Sequence, residues 1–70
     1  MSLEQIQKMM DERGAELAGM FRTELSEAIA EMGAEVYCLR KRTLVHIDGI
    51  DYEPAFSDDN RNRIVLVEAI

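Results

Sequence analysis

Two hydrophobic periods divide the chain near Gly33. Upstream, Leu3, Ile6, Met10, Leu17, Phe21, Leu25, Ala28 and Met32 recur at steps of three, four and seven residues. At 100° per residue these positions stay on one face of a helix. Ser2 and Gln5 have the spacing of a capping box, in which a Ser hydroxyl and a Gln amide satisfy each other's backbone N–H groups. Gly33 stands where a glycine C′ residue ends a helix. The spacing therefore predicts one long helix over residues 3–32. Gly14 falls on the apolar stripe, so the alternative is two helices that break there.

Downstream the period becomes that of a β-strand. Residues 35–40 hold Val36, Tyr37, Cys38 and Leu39, all at home in a pleated sheet. Residues 43–47 and 50–56 flank Asp48-Gly49, a dipeptide that suits a type I′ turn because both central positions need φ > 0. A two-residue loop there sets Ile47 against Ile50, His46 against Asp51 and Val45 against Tyr52. One face then carries Val45, Ile47, Ile50 and Tyr52, and the other Leu44, His46, Asp51 and Glu53. Pro54 cannot donate to a ladder and marks an edge or a strand end. Residues 57–62 read as a polar loop. Residues 63–69 form a last strand whose run Ile64-Val65-Leu66-Val67 suggests burial on both faces, in the middle of the sheet or under a partner. The fold class is α+β: one long N-terminal helix packed on a small antiparallel meander of three to four strands, in a single domain (helix 3–32, meander 35–69).

Length adds a constraint. A 30-residue helix is about 45 Å long, and a six-residue strand spans about 20 Å. A sheet of that size cannot cover the whole apolar stripe. Leu3, Ile6, Met9 and Met10 are then expected to form an uncovered patch that needs a partner.

Composition sharpens this picture. A chain of 70 residues buries only about 60% of its unfolded surface, so its stability is small unless something assists it. The chain has one cysteine, Cys38, and one histidine, His46, so neither an internal disulfide nor a Cys/His zinc set can assist. Association is the remaining route. The net charge of −6 argues against nucleic-acid phosphates as partners. No signal-like or membrane-length apolar segment is visible, and a lone thiol suits a reducing compartment. The expected location is the cytoplasm of a bacterial or phage-infected cell, or a virion. No sequence signature of a cofactor site is found.

Five groups could carry chemistry. His46, Asp48 and Asp51 cluster on the hairpin, and the expected role is a cross-strand His–carboxylate contact. Cys38 is expected to be a structural strand residue rather than a nucleophile activated by His46. Glu24, Glu27, Glu31 and Glu35 form an acidic row beside the apolar stripe, suited to a basic partner. Arg40-Lys41-Arg42 is the one basic cluster and is expected to be a polar turn that also protects a sheet edge; it could instead touch phosphate or meet the acidic row of a neighbouring copy. Met9, Met10, Met20 and Met32 fill the helix stripe, and Met9-Met10 lie in the part expected to be uncovered.

Residues 42–53, then the acidic loop and Arg63-Ile64-Val65-Leu66-Val67-Glu68, resemble the closing strands of bacteriophage head–tail joining proteins. In those proteins an apolar strand, a Gly-containing turn, an aromatic strand, an acidic loop and a final apolar strand follow one another. The resemblance implies a phage-encoded structural role. It covers turn and core positions and assigns no site residue. Together these observations point to an interaction protein rather than an enzyme, one that binds itself or another protein and self-associates through Leu3, Ile6, Met9 and Met10. The alternative is an acidic regulator or inhibitor, of antitoxin or anti-defence type, that docks on a basic surface through Glu24, Glu27, Glu31 and Glu35.

Overall fold

The computed structural model describes residues 2–69. Three short helices precede four strands: α1 (Leu3–Glu12), α2 (Gly14–Ala18), α3 (Arg22–Glu31), β1 (Glu35–Leu39), β2 (Arg42–Ile47), β3 (Ile50–Phe56) and β4 (Ile64–Glu68). The strands form one antiparallel meander in the order β1-β2-β3-β4. The α+β class and the meander are as expected, and the single long helix is not. The longest dimension of the protein is 27 Å, and a helix of about 45 Å has no place in it.

The chain breaks twice. Arg13 leaves helical geometry at φ −119°, ψ 24°. Gly14 follows because another backbone lies against it: a Cβ there would stand 2.6 Å from the Asn62 carbonyl oxygen. The second break, at Gly19–Phe21, has a weaker signal. Gly19 ends α2, and Phe21 is extended at φ −75°, ψ 166° before α3 begins. Phe21, expected on the apolar face, is 81% exposed there.

The breaks fold the helices back onto one face of the sheet. Ile6, Met10, Leu17, Ala28, Ile29 and Met32 then meet Val45, Ile47 and Ile64 in one core cluster. The expected uncovered patch therefore does not exist as such. Ile6 and Met10 are fully buried, and Leu3 and Met9 are half-buried against the same core. Association through an open α1 face loses its ground, because charges at Ile6 and Met10 would unfold the domain.

Local signals elsewhere act as read. Gln5 N–H donates to the Ser2 hydroxyl at 3.3 Å, and Ser2 N–H donates to the Gln5 side-chain oxygen at 3.0 Å. Gly33 follows α3 at φ 104°. Asp48 and Gly49 sit at φ 50° and 82°, and the register pairs Ile47 with Ile50, His46 with Asp51 and Val45 with Tyr52. Two readings need amendment. Pro54 lies inside β3: it ends the described β2–β3 ladder while the β3–β4 ladder continues to Phe56 and Ile64. And β4 is an edge strand rather than a central one.

That edge is closed by a side chain. Leu66 N–H donates to Gln7 Oε1 at 3.1 Å, and Gln7 Nε2 donates to the Ile64 carbonyl at 2.9 Å. The amide of Gln7 thus occupies the place of a neighbouring strand's peptide group. The Arg63 guanidinium donates to Asp11 at 2.9 Å and joins the same helix to the same strand.

The close approach at Gly14 makes a differential test. Gly14→Ala is expected to destabilise by about 1–3 kcal/mol despite alanine's better helix propensity, because backbone must move. Gly19→Ala meets nothing nearer than 3.7 Å and is expected to be neutral or stabilising by about 0.4–1 kcal/mol. Urea unfolding of the two variants checks both signs.

Candidate functional site

Strand alternation sends side chains to two faces. The helices cover the face of Val36, Val45, Ile47, Tyr52, Leu66 and Ile64. On the other face, register and alternation put Leu39 opposite Arg42, Tyr37 opposite Leu44, Ala55 opposite Val65, Glu53 opposite Val67, and Glu35, His46 and Asp51 in one row. No helix lies over this face among the described residues. Its apolar members are large: Leu39 is 55% exposed, Val67 51% and Tyr37 41%. Leu44, expected to face solvent, does lie on this face but is only 5% exposed. Its neighbour by register is Tyr37, and Arg42 pairs with Glu53 on the same face.

Polar groups hold this face in order. His46 Nδ1 lies 2.8 Å from Asp51 Oδ1, the cross-strand contact expected from the turn. With the carboxylate ionised, Nδ1 must be the donor, which leaves Nε2 as the outward nitrogen. The Tyr37 hydroxyl neighbours the same carboxylate. The hydrogen bond from His46, and then that from Tyr37, holds the Asp51 carboxyl below the usual aspartate range. Conversely, bonding to Asp51 raises the Tyr37 phenol. Asp11 is likewise lowered, chiefly by its hydrogen bond with Arg63.

Other candidates separate. Cys38 is exposed and pairs with Thr43 in register, so its side chain belongs to the sheet face opposite His46. A Cys–His couple is excluded by that alternation. An open cleft of about 360 Å³, lined by residues that include Glu35, His46 and Asp48, lies between the α3–β1 connection and the β2–β3 turn. No set of three or more His, Cys, Asp or Glu side chains among the described residues gathers closely enough to hold a metal ion. Glu24, Glu27 and Glu31 are exposed along α3, whereas Glu35 belongs to β1 and faces His46. The acidic row is therefore three residues on a helix and a fourth on the sheet. Among the described residues no helix is long and apolar enough to cross a membrane.

Two features escaped the sequence. The Arg40-Lys41 turn has φ 52° and 65°, the two-residue hairpin geometry without Gly, Asn or Asp to signal it. Arg22 donates to the Lys41 carbonyl and braces that turn against α3. The Gln7 closure of β4 has no signal beyond a polar residue beside the apolar stripe. No family model, curated protein or solved structure matches this chain.

The carboxylate shifts fix a pH dependence. Asp51 and Asp11 have depressed folded-state values, so the unfolded chain binds more protons. Their contribution is present above the ordinary aspartate value of about 3.9 and is lost as pH falls through the folded values. Tyr37 is raised, so its contribution is present below about pH 10 and is lost as pH rises through its folded value. Asp51→Asn is expected to make both limbs of the stability profile shallower, the acid limb because its own depressed carboxyl is gone and the alkaline limb because Tyr37 is no longer raised. Urea midpoints across both limbs check this.

Proposed function

We propose that this chain is a non-enzymatic assembly protein that self-associates, with contacts made on the helix-free face of its sheet. The observation that carries this reading is the exposure of Tyr37, Leu39 and Val67 on one face, set among the Arg42–Glu53 and His46–Asp51 pairs. Apolar area broken by ordered charge is the composition of a protein interface. Both signs of charge on one face allow it to complement itself about a two-fold axis. A 70-residue core also gains from any surface it can cover. The likeness of residues 42–68 to head–tail joining proteins supports placing the protein among phage assembly components.

A second reading has its own support. Glu24, Glu27 and Glu31 are exposed on α3 and make no ion pair among the described residues. They suit an acidic regulator that docks on a basic protein surface. That reading expects salt-sensitive binding, screened over about 8–10 Å, which Glu24→Gln with Glu27→Gln weakens.

Sedimentation over a concentration series tests the first reading. The wild type is expected to associate at micromolar concentration. Leu39→Glu with Val67→Glu, both at exposed positions, is expected to stay folded and to weaken association by roughly tenfold or more. A wild-type chain that remains monomeric throughout would overturn the reading.

A further inference from the structure

The two edges of the sheet are not alike. At β4 the outward backbone groups are those of Ile64, Leu66 and Glu68, and Gln7 takes the Ile64 C=O and the Leu66 N–H. Their phase agrees with the Ala69 N–H that donates to the Asp51 carbonyl at 2.8 Å. At β1 the phase follows from the turn. A two-residue loop at Arg40-Lys41 makes Leu39 and Arg42 the hydrogen-bonded pair nearest the turn. Leu39, Tyr37 and Glu35 then direct their N–H and C=O groups to β2, and Val36 and Cys38 direct theirs outward. Among the described residues, no side chain or loop bonds to the backbone of Val36 or Cys38. The strand has no proline, and four of its five residues are exposed. Neither proline nor a bonded side chain blocks its backbone edge, and its protection is limited to its short length and the charges at its two ends.

Its charges are segregated as well. Glu31 and Glu35 lie at or before its start, and Arg40, Lys41 and Arg42 follow its end. Arg42 is paired with Glu53, but Glu31, Glu35, Arg40 and Lys41 form no ion pair among the described residues. A strand that is acidic at one end and basic at the other complements itself when run antiparallel.

We infer that β1 pairs antiparallel with β1 of a second copy and joins two sheets into one of eight strands. This rests on the self-association reading above and adds an edge contact at β1, beside the Tyr37 and Leu39 end of the face named there. The register that uses the outward groups centres on Tyr37. Val36 then faces Cys38 of the second copy, and Cys38 faces Val36 of the second copy, in two hydrogen-bonded pairs. The two Tyr37 residues meet at the axis on the helix-free face, and each Leu39 lies opposite a Glu35. Each Arg40-Lys41 turn arrives beside the Glu31–Glu35 end of the other copy. The partner is thus fixed by chemistry on both counts: four unmet backbone groups and two matched charge clusters.

The test uses the full chain in sedimentation and amide hydrogen exchange. Cys38→Pro removes an outward N–H and leaves the β1–β2 ladder its bonds. It is expected to raise the dimer dissociation constant by roughly tenfold or more. Because proline can also disturb β1 itself, a charge exchange gives an independent readout. Arg40→Asp with Lys41→Asp makes one all-acidic variant, and aspartate tolerates φ > 0. Glu31→Lys with Glu35→Lys makes an all-basic one. Neither is expected to self-associate at concentrations where the wild type does, and their mixture is expected to form a heterodimer. The Val36 and Cys38 amides should gain exchange protection in the wild-type dimer. A wild type that stays monomeric overturns the self-association reading together with this one. A wild-type dimer in which Val36 and Cys38 exchange freely, and whose charge variants neither separate nor cross-pair, overturns the β1 edge alone.

Discussion

The reach of the sheet governs the rest of the fold. Strands of five to seven residues offer a face of about 20 Å, and no continuous helix longer than about 13 residues can lie within that span. The stretch from Leu3 to Met32 carries an apolar stripe that would be more than twice as long in one helix. Covering it requires folding it back, and that is what the breaks at Arg13 and Gly19–Phe21 accomplish. Once folded, α1 lies along β4, close enough for Gln7 to close that edge, for Asp11 to meet Arg63, and for Gly14 to receive the Asn62 carbonyl. These three contacts follow from the break, and a straight helix would have none of them.

The same constraint leaves the sheet unsymmetrical. Three short helices cover one face, and none remains for the other. β2, the strand with most of the buried residues, is buried on both sides of the sheet: Val45 and Ile47 in the core under the helices, and Leu44 on the other face opposite Tyr37. β1 and β4 flank the central pair as the two margins, but only β4 has a helix side chain bonded to its backbone. The helix-free face and the open β1 margin adjoin at Tyr37 and Leu39, whereas Val67 of the same face lies at the opposite margin on β4.

Much of this was legible in the residues. Asp48-Gly49 gave its turn and register because positive φ at two successive positions is a demand that few dipeptides meet. Ser2, Gln5 and Gly33 gave helix ends for equally local reasons. Where a feature depends on contacts distant in sequence, the signal faded. Gly14 was recognisable as a position of close approach or a break, yet only the loop at Asn62, 48 positions on, turns it into both. The stripe from Leu3 to Met32 keeps its period across Gly19, so periodicity alone could not show that the helix stops there. Ile64–Val67 resembled a central strand because both its faces are apolar, yet it lies at the edge of the sheet and Val67 is exposed. The Arg40-Lys41 turn was invisible for another reason: its conformation opposes the preference of its residues.

That last conflict costs stability. A residue with a Cβ in the left-handed region costs about 1–2 kcal/mol, and β1–β2 has two such residues in succession. Asn-Gly would make the same turn without that strain, as Asp-Gly does one hairpin later in the same chain. A domain this small has only a few kcal/mol of net stability, so two strained cations are a considerable fraction of it. The bond from Arg22 to the Lys41 carbonyl supports the turn but leaves both side chains free of any carboxylate partner among the described residues. The strain therefore lies in the turn at the basic end of β1, where the open edge of the sheet begins.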